Sequence, residues 1–160
     1  MSRRRQHLGA RQEFPQLVQT VLDCTDAREL AEFYRQLLGF QYRPGHEPPA
    51  DGKPDEADWL VLRDAHGTNR LSFQKVAKLA KATWPEGPIP QQMHLDLSVP
   101  TKQDLDAQHE QALTLGAKLL QDRSDDPQEP IRIYADPAGH PFCIFVWARE
   151  AITNTVEVTQ

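Results

Sequence analysis

Apolar and polar positions follow the same order twice along the chain, with a period of roughly 75 residues. Residues 17–24 alternate as in a strand. The helical segment after them can be capped at Thr25 or Asp26 and can end at Gly39. Its apolar positions form one helical stripe: Leu30, Phe33, Tyr34, Leu37 and Leu38. A short strand at 40–43 and the strands "WLVLRD" and "RLSFQKV" complete this half.

The second half repeats the order of strand, helix and three strands. The strand "MHLDLSV" precedes a helix that Thr101 and Asp104 can cap and that Gly116 can end, and "AKLLQ", "IRIYAD" and "FCIFVWA" follow. One half alone is too small to bury both faces of its sheet. We therefore predict an α+β fold in which two βαβββ modules form an eight-stranded cupped sheet around a central cleft.

The two halves also predict the organisation of the chain. A linker with three prolines separates them and should run extended over the surface. The predicted parts are a flexible basic N-terminal tail at 1–15, a first module at 16–76, the linker at 77–92, a second module at 93–148 and a C-terminal tail at 149–160.

The first strand of each module has one apolar and one polar face, since side chains alternate along a strand. The positions expected to pack under the helices are Val18, Leu22 and Cys24, with Met93, Leu95, Leu97 and Val99 in the second module. The positions expected to line the cleft are Gln19, Val21 and Asp23, with His94, Asp96 and Ser98 in the second module.

Composition narrows the choice of partners and compartment. The formal net charge of −5 argues against nucleic acid or an anionic membrane as the main partner. No apolar stretch approaches the length of a membrane span, and none follows Arg3–Arg5 as in a signal peptide, so we expect a cytoplasmic protein. The two cysteines, Cys24 and Cys143, have no CxxC spacing and should be reduced.

Three segments carry a resemblance to a known family: "LDCTDARELAEFYRQLLGF", "HLDLSVPTKQDLDAQHEQALTLGA" and "YADPAGHPFCIF". Together with the double βαβββ order, they resemble the vicinal oxygen chelate superfamily over residues 16–148. That superfamily includes lactoylglutathione lyase, bleomycin-resistance proteins, fosfomycin-resistance transferases and extradiol dioxygenases. Within it, the chain is most similar to small glyoxalase-like proteins, most of which have no assigned reaction.

The resemblance implies positions for a divalent metal. Metal-using members place one ligand on each first strand and one on each last strand, facing the cleft. Carried over to this chain, these positions are Gln19, Gln74 and His94, while Cys143 stands where such members have glutamate. Neutral amide oxygens are weak ligands without carboxylates beside them, so a metal is possible but not favoured.

The other candidate site residues also have plainer structural roles open to them. His94 could simply hydrogen-bond in a polar cavity, and Cys143 could be a small buried hydrophobe. Asp23 and Asp96 are candidate general bases or partners of a cationic ligand, and either could also meet solvent at the cleft mouth. The full predicted ligand-binding set is Gln19, Asp23, Trp59, His94, Asp96, Cys143, Phe145 and Trp147.

Three functions are compatible with the sequence. The first is a protein that binds a small organic molecule in the cleft without a metal, which the absent glutamate and the aromatic residues favour. The second is a metal-dependent lyase, isomerase or dioxygenase. The third is a degenerate module for assembly or partner binding, with a filled cleft. A homodimer is expected because superfamily members commonly pair.

Overall fold

The computed structural model describes residues 14–50 and 53–148. Most of both predicted tails therefore lies outside the described residues. Eight strands and two helices follow in the predicted order, which confirms the α+β fold with two βαβββ modules. The first module contains β1 Thr20–Cys24, α1 Ala27–Leu38, β2 Gln41–Tyr42, β3 Trp59–Arg63 and β4 Asn69–Lys75. The second contains β5 Leu95–Val99, α2 Lys102–Thr114, β6 Lys118–Arg123, β7 Ile131–Ala135 and β8 Pro141–Val146.

The eight strands are divided between two sheets of four, in the orders β1-β4-β3-β2 and β5-β8-β7-β6. The first strand of each module pairs in parallel with the last, and the other pairs are antiparallel. β1 and β5 are therefore edge strands, and in the described part of the chain they do not pair with each other. No helix within the described ranges is long and apolar enough to cross a membrane.

The predicted helix ends are confirmed for α1. The Asp26 side chain accepts a hydrogen bond from the Glu29 backbone N–H at 2.9 Å, and Gly39 closes the helix with a φ of 66°. Thr101 caps α2 in the same way, accepting from the Asp104 N–H at 3.1 Å. The second helix ends at Thr114, two residues before the glycine at 116.

Helix α1 packs against both modules. Tyr34 is fully buried, stacks on Phe73 of β4 at 5.9 Å between ring centroids, and meets Phe142 of β8 edge-on at 6.3 Å. Phe33 also contacts Phe142, at 5.8 Å. Each such pair adds about 0.5–1.5 kcal/mol beyond the area it buries. The two modules therefore share one hydrophobic core.

One buried arginine connects helix α2 to its sheet. Arg132 of β7 forms an ion pair with Asp106 of α2 at 2.8 Å and donates to the Leu105 carbonyl oxygen at 3.3 Å. The same guanidinium donates to Asp122 at 3.0 Å and to Ser124 at 2.9 Å, which fixes its position. These polar contacts add to the two side chains that α2 buries, Leu105 and Ala112.

The prediction that Val18 and Met93 pack under the helices is wrong. Val18 is 61% exposed and Met93 is 72% exposed. The reason is that the strands begin only at Thr20 and Leu95, so the alternation that orients side chains does not extend back to either residue. Cys24 is buried as predicted, and the other predicted positions are partly buried against the core: Leu22, Leu95, Leu97 and Val99.

Candidate functional site

A cavity of about 630 Å³ lies between the two modules. Residues 20–23 of β1 line it from the first module, together with Gln74 of β4. The start of β5 and the turn at 138–141 line it from the second module. The rest of the lining comes from the linker, through Leu79, Ala80, Ala82 and residues 89–92. The linker is therefore part of a site and not only a spacer across the surface.

The turn beside the cavity is fixed to the first module by two hydrogen bonds. Tyr34 of α1 donates to Asp136 Oδ2 at 2.9 Å, while Asp136 Oδ1 accepts from the backbone N–H groups of Gly139 and His140 at 2.8 and 2.9 Å. His140 Nε2 lies 2.6 Å from the carbonyl oxygen of Asp23, and because a carbonyl can only accept, the imidazole donates. Burial raises the pKa of Asp136. These bonds hold opposite walls of the cavity together.

Three potential metal-binding groups converge beside the same cavity. Asp96 and Cys143 are directly paired between β5 and β8, and the thiol donates to Asp96 Oδ1 at 2.6 Å. His94, which lines the cavity, places Nε2 3.2 Å from the same oxygen. Burial raises the pKa of Cys143 to about 12, with a further contribution from Asp96, so the free thiol is protonated at neutral pH.

The predicted site residues are only partly brought together. Asp23, Gln74 and His94 line the cavity. Gln19 lies elsewhere: its Oε1 accepts from Asn69 at 3.0 Å. Since Gln74 is paired with Asp23, four residues beyond Gln19, the two glutamines stand about 13 Å apart along the strand direction. Gln19, Gln74 and His94 therefore do not form one metal centre.

The predicted aromatic residues lie outside this cavity. Trp59 is paired with Gln74 across β3 and β4 and is partly exposed. Phe145 and Trp147 stack on each other at 6.5 Å between ring centroids. Among the described residues, the apolar lining is aliphatic instead, and it includes Val21, Leu22, Leu79, Ile89 and Met93.

Two parts of the site are not among the predicted residues, His140 and the linker. The predicted ligand-binding set does not include His140, and the linker was expected only to run over the surface. Two features of the sequence could have indicated that the linker and the turn at His140 line the cavity. The linker carries isolated apolar residues, Leu79 and Ile89, among its prolines, and a turn before a last strand lies beside the start of the first strand when the two pair in parallel. The bond between Tyr34 and Asp136 joins residues 102 positions apart and has no local signal.

Two βαβββ modules with a cavity between their first strands define the paired-module class that includes the vicinal oxygen chelate proteins. The profile of the glyoxalase-like domain family matches residues 19–145, and the chain belongs to that family. No curated protein matches the chain.

Solved structures confirm the fold. A glyoxalase/bleomycin resistance protein/dioxygenase family enzyme from Burkholderia phytofirmans is 18% identical, with a TM-score of 0.57 over 81% of this chain and 96% of that one. The fosfomycin resistance protein FosX from Mesorhizobium loti is 11% identical, with a TM-score of 0.57 over 83% and 92%. FosX from Listeria monocytogenes, solved with Mn(II) and sulfate, is 13% identical, with a TM-score of 0.56 over 84% and 93%.

A metal centre of the kind that the resemblance implies does not fit this chain. Manganese and similar ions prefer carboxylate, carbonyl and water oxygens. Gln19 and Gln74 are amides that stand apart, and the donors that do converge with His94 are one carboxylate and one thiol. The predicted set of Gln19, Gln74 and His94 thus supplies no centre for such an ion.

Proposed function

We propose that this protein binds a small organic molecule in the cavity between its two modules, without a metal held by Gln19, Gln74 and His94. The observation that carries the proposal is the cavity itself. Its volume of about 630 Å³ lies within the usual range of small-molecule sites. Its walls come from both modules and from the linker, so the arrangement of these three parts determines the shape of the site.

The lining supports an amphipathic occupant. Aliphatic side chains provide most of the apolar contact, while Asp23, His94 and His140 add polar groups at separate points. Gln91 also lines the cavity, and its Oε1 is buried without a hydrogen-bond partner among the described residues. A buried acceptor of this kind is usually satisfied, so a ligand with a hydrogen-bond donor fits it.

The open cavity counts against the degenerate module, because that alternative expects a filled cleft. A metal-dependent lyase, isomerase or dioxygenase is the second candidate. One specific observation favours it: His94, which lines the cavity, lies close to Asp96 and Cys143. A fold shared with FosX does not choose between these functions, because one fold supports many activities.

A cavity-filling variant tests the proposal. Ala80 lines the cavity from the exposed linker, so Ala80→Trp should occupy part of the space without disturbing the core. Ala65→Trp is the matched control, because Ala65 is exposed in the turn between β3 and β4 and lies outside the cavity lining. A fragment library screened by saturation-transfer NMR should give amphipathic hits that bind the wild type and the control but not Ala80→Trp. Hits that bind Ala80→Trp equally well, or an absence of hits, would refute the proposal.

His94→Ala gives a second test at the polar end of the cavity. Since His94 is exposed, the substitution should leave the melting temperature nearly unchanged and weaken binding of the same hits. His66→Ala, in an exposed turn, is the control. A large loss of stability with binding intact would instead make His94 structural. The proposal also keeps the expected cytoplasmic location and homodimer, which cell fractionation and light scattering would test.

A further inference from the structure

Among the described residues that line the cavity between the modules, Asp23 is the one that carries a formal charge at neutral pH. The other side chains of the lining are aliphatic, thioether, amide, hydroxyl or imidazole groups, and none belongs to a lysine or an arginine. We propose that the occupant of this cavity is a small amphipathic cation, a protonated aliphatic amine whose ammonium group pairs with Asp23. This inference rests on the proposed function and adds the chemical class of the ligand.

The Asp23 carboxylate has no partner of its own within residues 14–50 and 53–148. No lysine, arginine or histidine in these ranges forms an ion pair with it. The contact with His140 uses the backbone carbonyl of Asp23 and not its side chain. Lys81 places its stem beside Gly139, but it lies outside the lining of the cavity. The carboxylate is therefore available to a ligand.

The charge of Asp23 discriminates between classes of occupant. A molecule that fills the cavity removes water from the carboxylate, and a neutral molecule replaces that hydration only in part, while an anion adds repulsion. An ammonium group replaces the lost water with charge-assisted hydrogen bonds. These bonds are stronger beside apolar walls than in water, because the local dielectric constant is lower. The cavity should therefore prefer a cation to a neutral or anionic molecule of the same size.

The other polar groups of the lining whose roles the structure defines are acceptors as well. Gln91 Oε1 is buried without a partner among the described residues. His140 Nε2 donates to the Asp23 carbonyl oxygen, and His94 Nε2 lies 3.2 Å from Asp96 Oδ1, which as an ionised carboxylate can only accept. The other nitrogen of each neutral imidazole, Nδ1, is therefore an acceptor. A primary ammonium group, with three donors and no acceptor, matches this set.

The apolar part of the lining determines the rest of the ligand. It is aliphatic, with Val21 and Leu22 from β1 and with Leu79 and Ile89 from the linker. No phenylalanine, tyrosine or tryptophan belongs to the described lining. Quaternary ammonium groups are usually recognised by cages of such aromatic rings. The cavity is therefore suited to a primary amine on an alkyl chain.

Three probes that share one alkyl chain test the charge preference: hexylammonium, hexan-1-ol and hexanoate. Each is titrated into the full chain near neutral pH, and binding is followed by the amide signals in proton–nitrogen NMR spectra. Hexylammonium should bind about fivefold or more tightly than hexan-1-ol, and hexanoate should bind more weakly than either. Ala80→Trp should abolish hexylammonium binding, because Ala80 lines the cavity.

Asp23→Asn tests the ion pair itself, because it removes the charge and keeps the size of the side chain. It should lower hexylammonium affinity by about fivefold or more and leave the affinity for hexan-1-ol unchanged. Asp58→Asn is the matched control, since Asp58 is exposed, lies outside the lining and changes the net charge equally. Gln91→Met should lower hexylammonium affinity by about threefold without lowering the melting temperature. Melting temperatures establish that each variant is folded.

The outcomes separate this inference from the proposed function. Failure of hexylammonium to bind, a preference for hexan-1-ol or hexanoate, or equal hexylammonium affinity in the wild type and Asp23→Asn would overturn the cationic ligand. The proposed function survives such a result if neutral or anionic fragments bind the wild type and not Ala80→Trp. An absence of binding by every fragment and by all three probes would refute both.

Discussion

Removing the Tyr34 hydroxyl should destabilise the contact between the modules by a predictable amount. In Tyr34→Phe the ring remains in the core, while Asp136 Oδ2 loses the donor that now lies 2.9 Å away. Hydrogen bonds to a charged group contribute about 1.5–3 kcal/mol, so we expect a loss of about 2 kcal/mol in the free energy of unfolding near neutral pH. For a chain of this size that is a fall of roughly 4–8 °C in the melting temperature.

The pH dependence of this loss distinguishes the hydrogen bond from general packing. Burial raises the pKa of Asp136 in the folded protein, and the Tyr34 hydroxyl works against that rise. An acid with a raised pKa stabilises the fold at low pH and loses that contribution as pH rises through its folded pKa. Without the hydroxyl the pKa rises further, so the variant should lose most at neutral pH and less as the pH falls through the pKa of Asp136.

Urea unfolding of both proteins near pH 7 and near pH 4 measures the effect. Tyr42→Phe is the matched control, because the Tyr42 hydroxyl donates to Glu32 at 2.8 Å in a partly exposed position. It should lose less than about 1 kcal/mol. A loss below about 0.5 kcal/mol for Tyr34→Phe near pH 7, or an equal loss at both pH values, would refute the reasoning.

Three further substitutions test other parts of the structure. Arg132→Met should lower the free energy of unfolding by about 1–2 kcal/mol at pH 7, discounted because its partners are partly exposed. Partial desolvation acts to raise the pKa of Asp122, but hydrogen bonds from Ser124 and Arg132 outweigh it and lower this pKa to about 2. The loss of stability in Arg132→Met should therefore shrink as pH falls below about 4. An equal loss at about pH 2, measured by chemical denaturation, would contradict this reasoning. Ser72→Ala should leave stability unchanged or raise it by up to about 1 kcal/mol, because the buried hydroxyl has no partner in the described structure, and a clear fall in melting temperature would reveal one. Gly139→Ala should destabilise the fold by about 1–3 kcal/mol, because φ is +98° and the added Cβ would lie 2.6 Å from the Lys81 side chain. Gly45→Ala is the control, with a φ of +88° and open space around the added Cβ. It should show a smaller fall in melting temperature in the same thermal melt.

The local pattern of the sequence predicts the elements well. The capping residue Asp26, the apolar stripe and Gly39 each specify α1 through contacts within a few residues. The double βαβββ order follows from periodicity in the same way. These features are readable because their physical causes, hydrogen bonds to helix ends and the orientation of alternate side chains, act over short distances along the chain.

The sequence pattern does not determine the pairing register between strands that are distant along the chain. Gln74 was predicted to join Gln19 in one ligand set, but β1 and β4 pair so that Gln74 lies opposite Asp23. A shift by two or four residues along the pair keeps every side chain on its own face, so the alternation of apolar and polar positions does not exclude the wrong alignment. The same limit applies to Asp96 and Cys143, whose direct pairing makes a cluster out of two residues 47 positions apart.

The repeat provides an internal comparison for that cluster. Asp96 pairs with Cys143 in the second module, and the corresponding pair between β1 and β4 is Val21 with Ser72. The first module thus has a hydroxyl where the second has a thiol, but an apolar side chain where the second has the accepting carboxylate. That difference explains why, within residues 14–50 and 53–148, the buried Ser72 hydroxyl has no hydrogen-bond partner while the Cys143 thiol has one. The two modules have the same strand pairing, so the different chemistry of the second module comes from different residues at positions that the fold brings together in both.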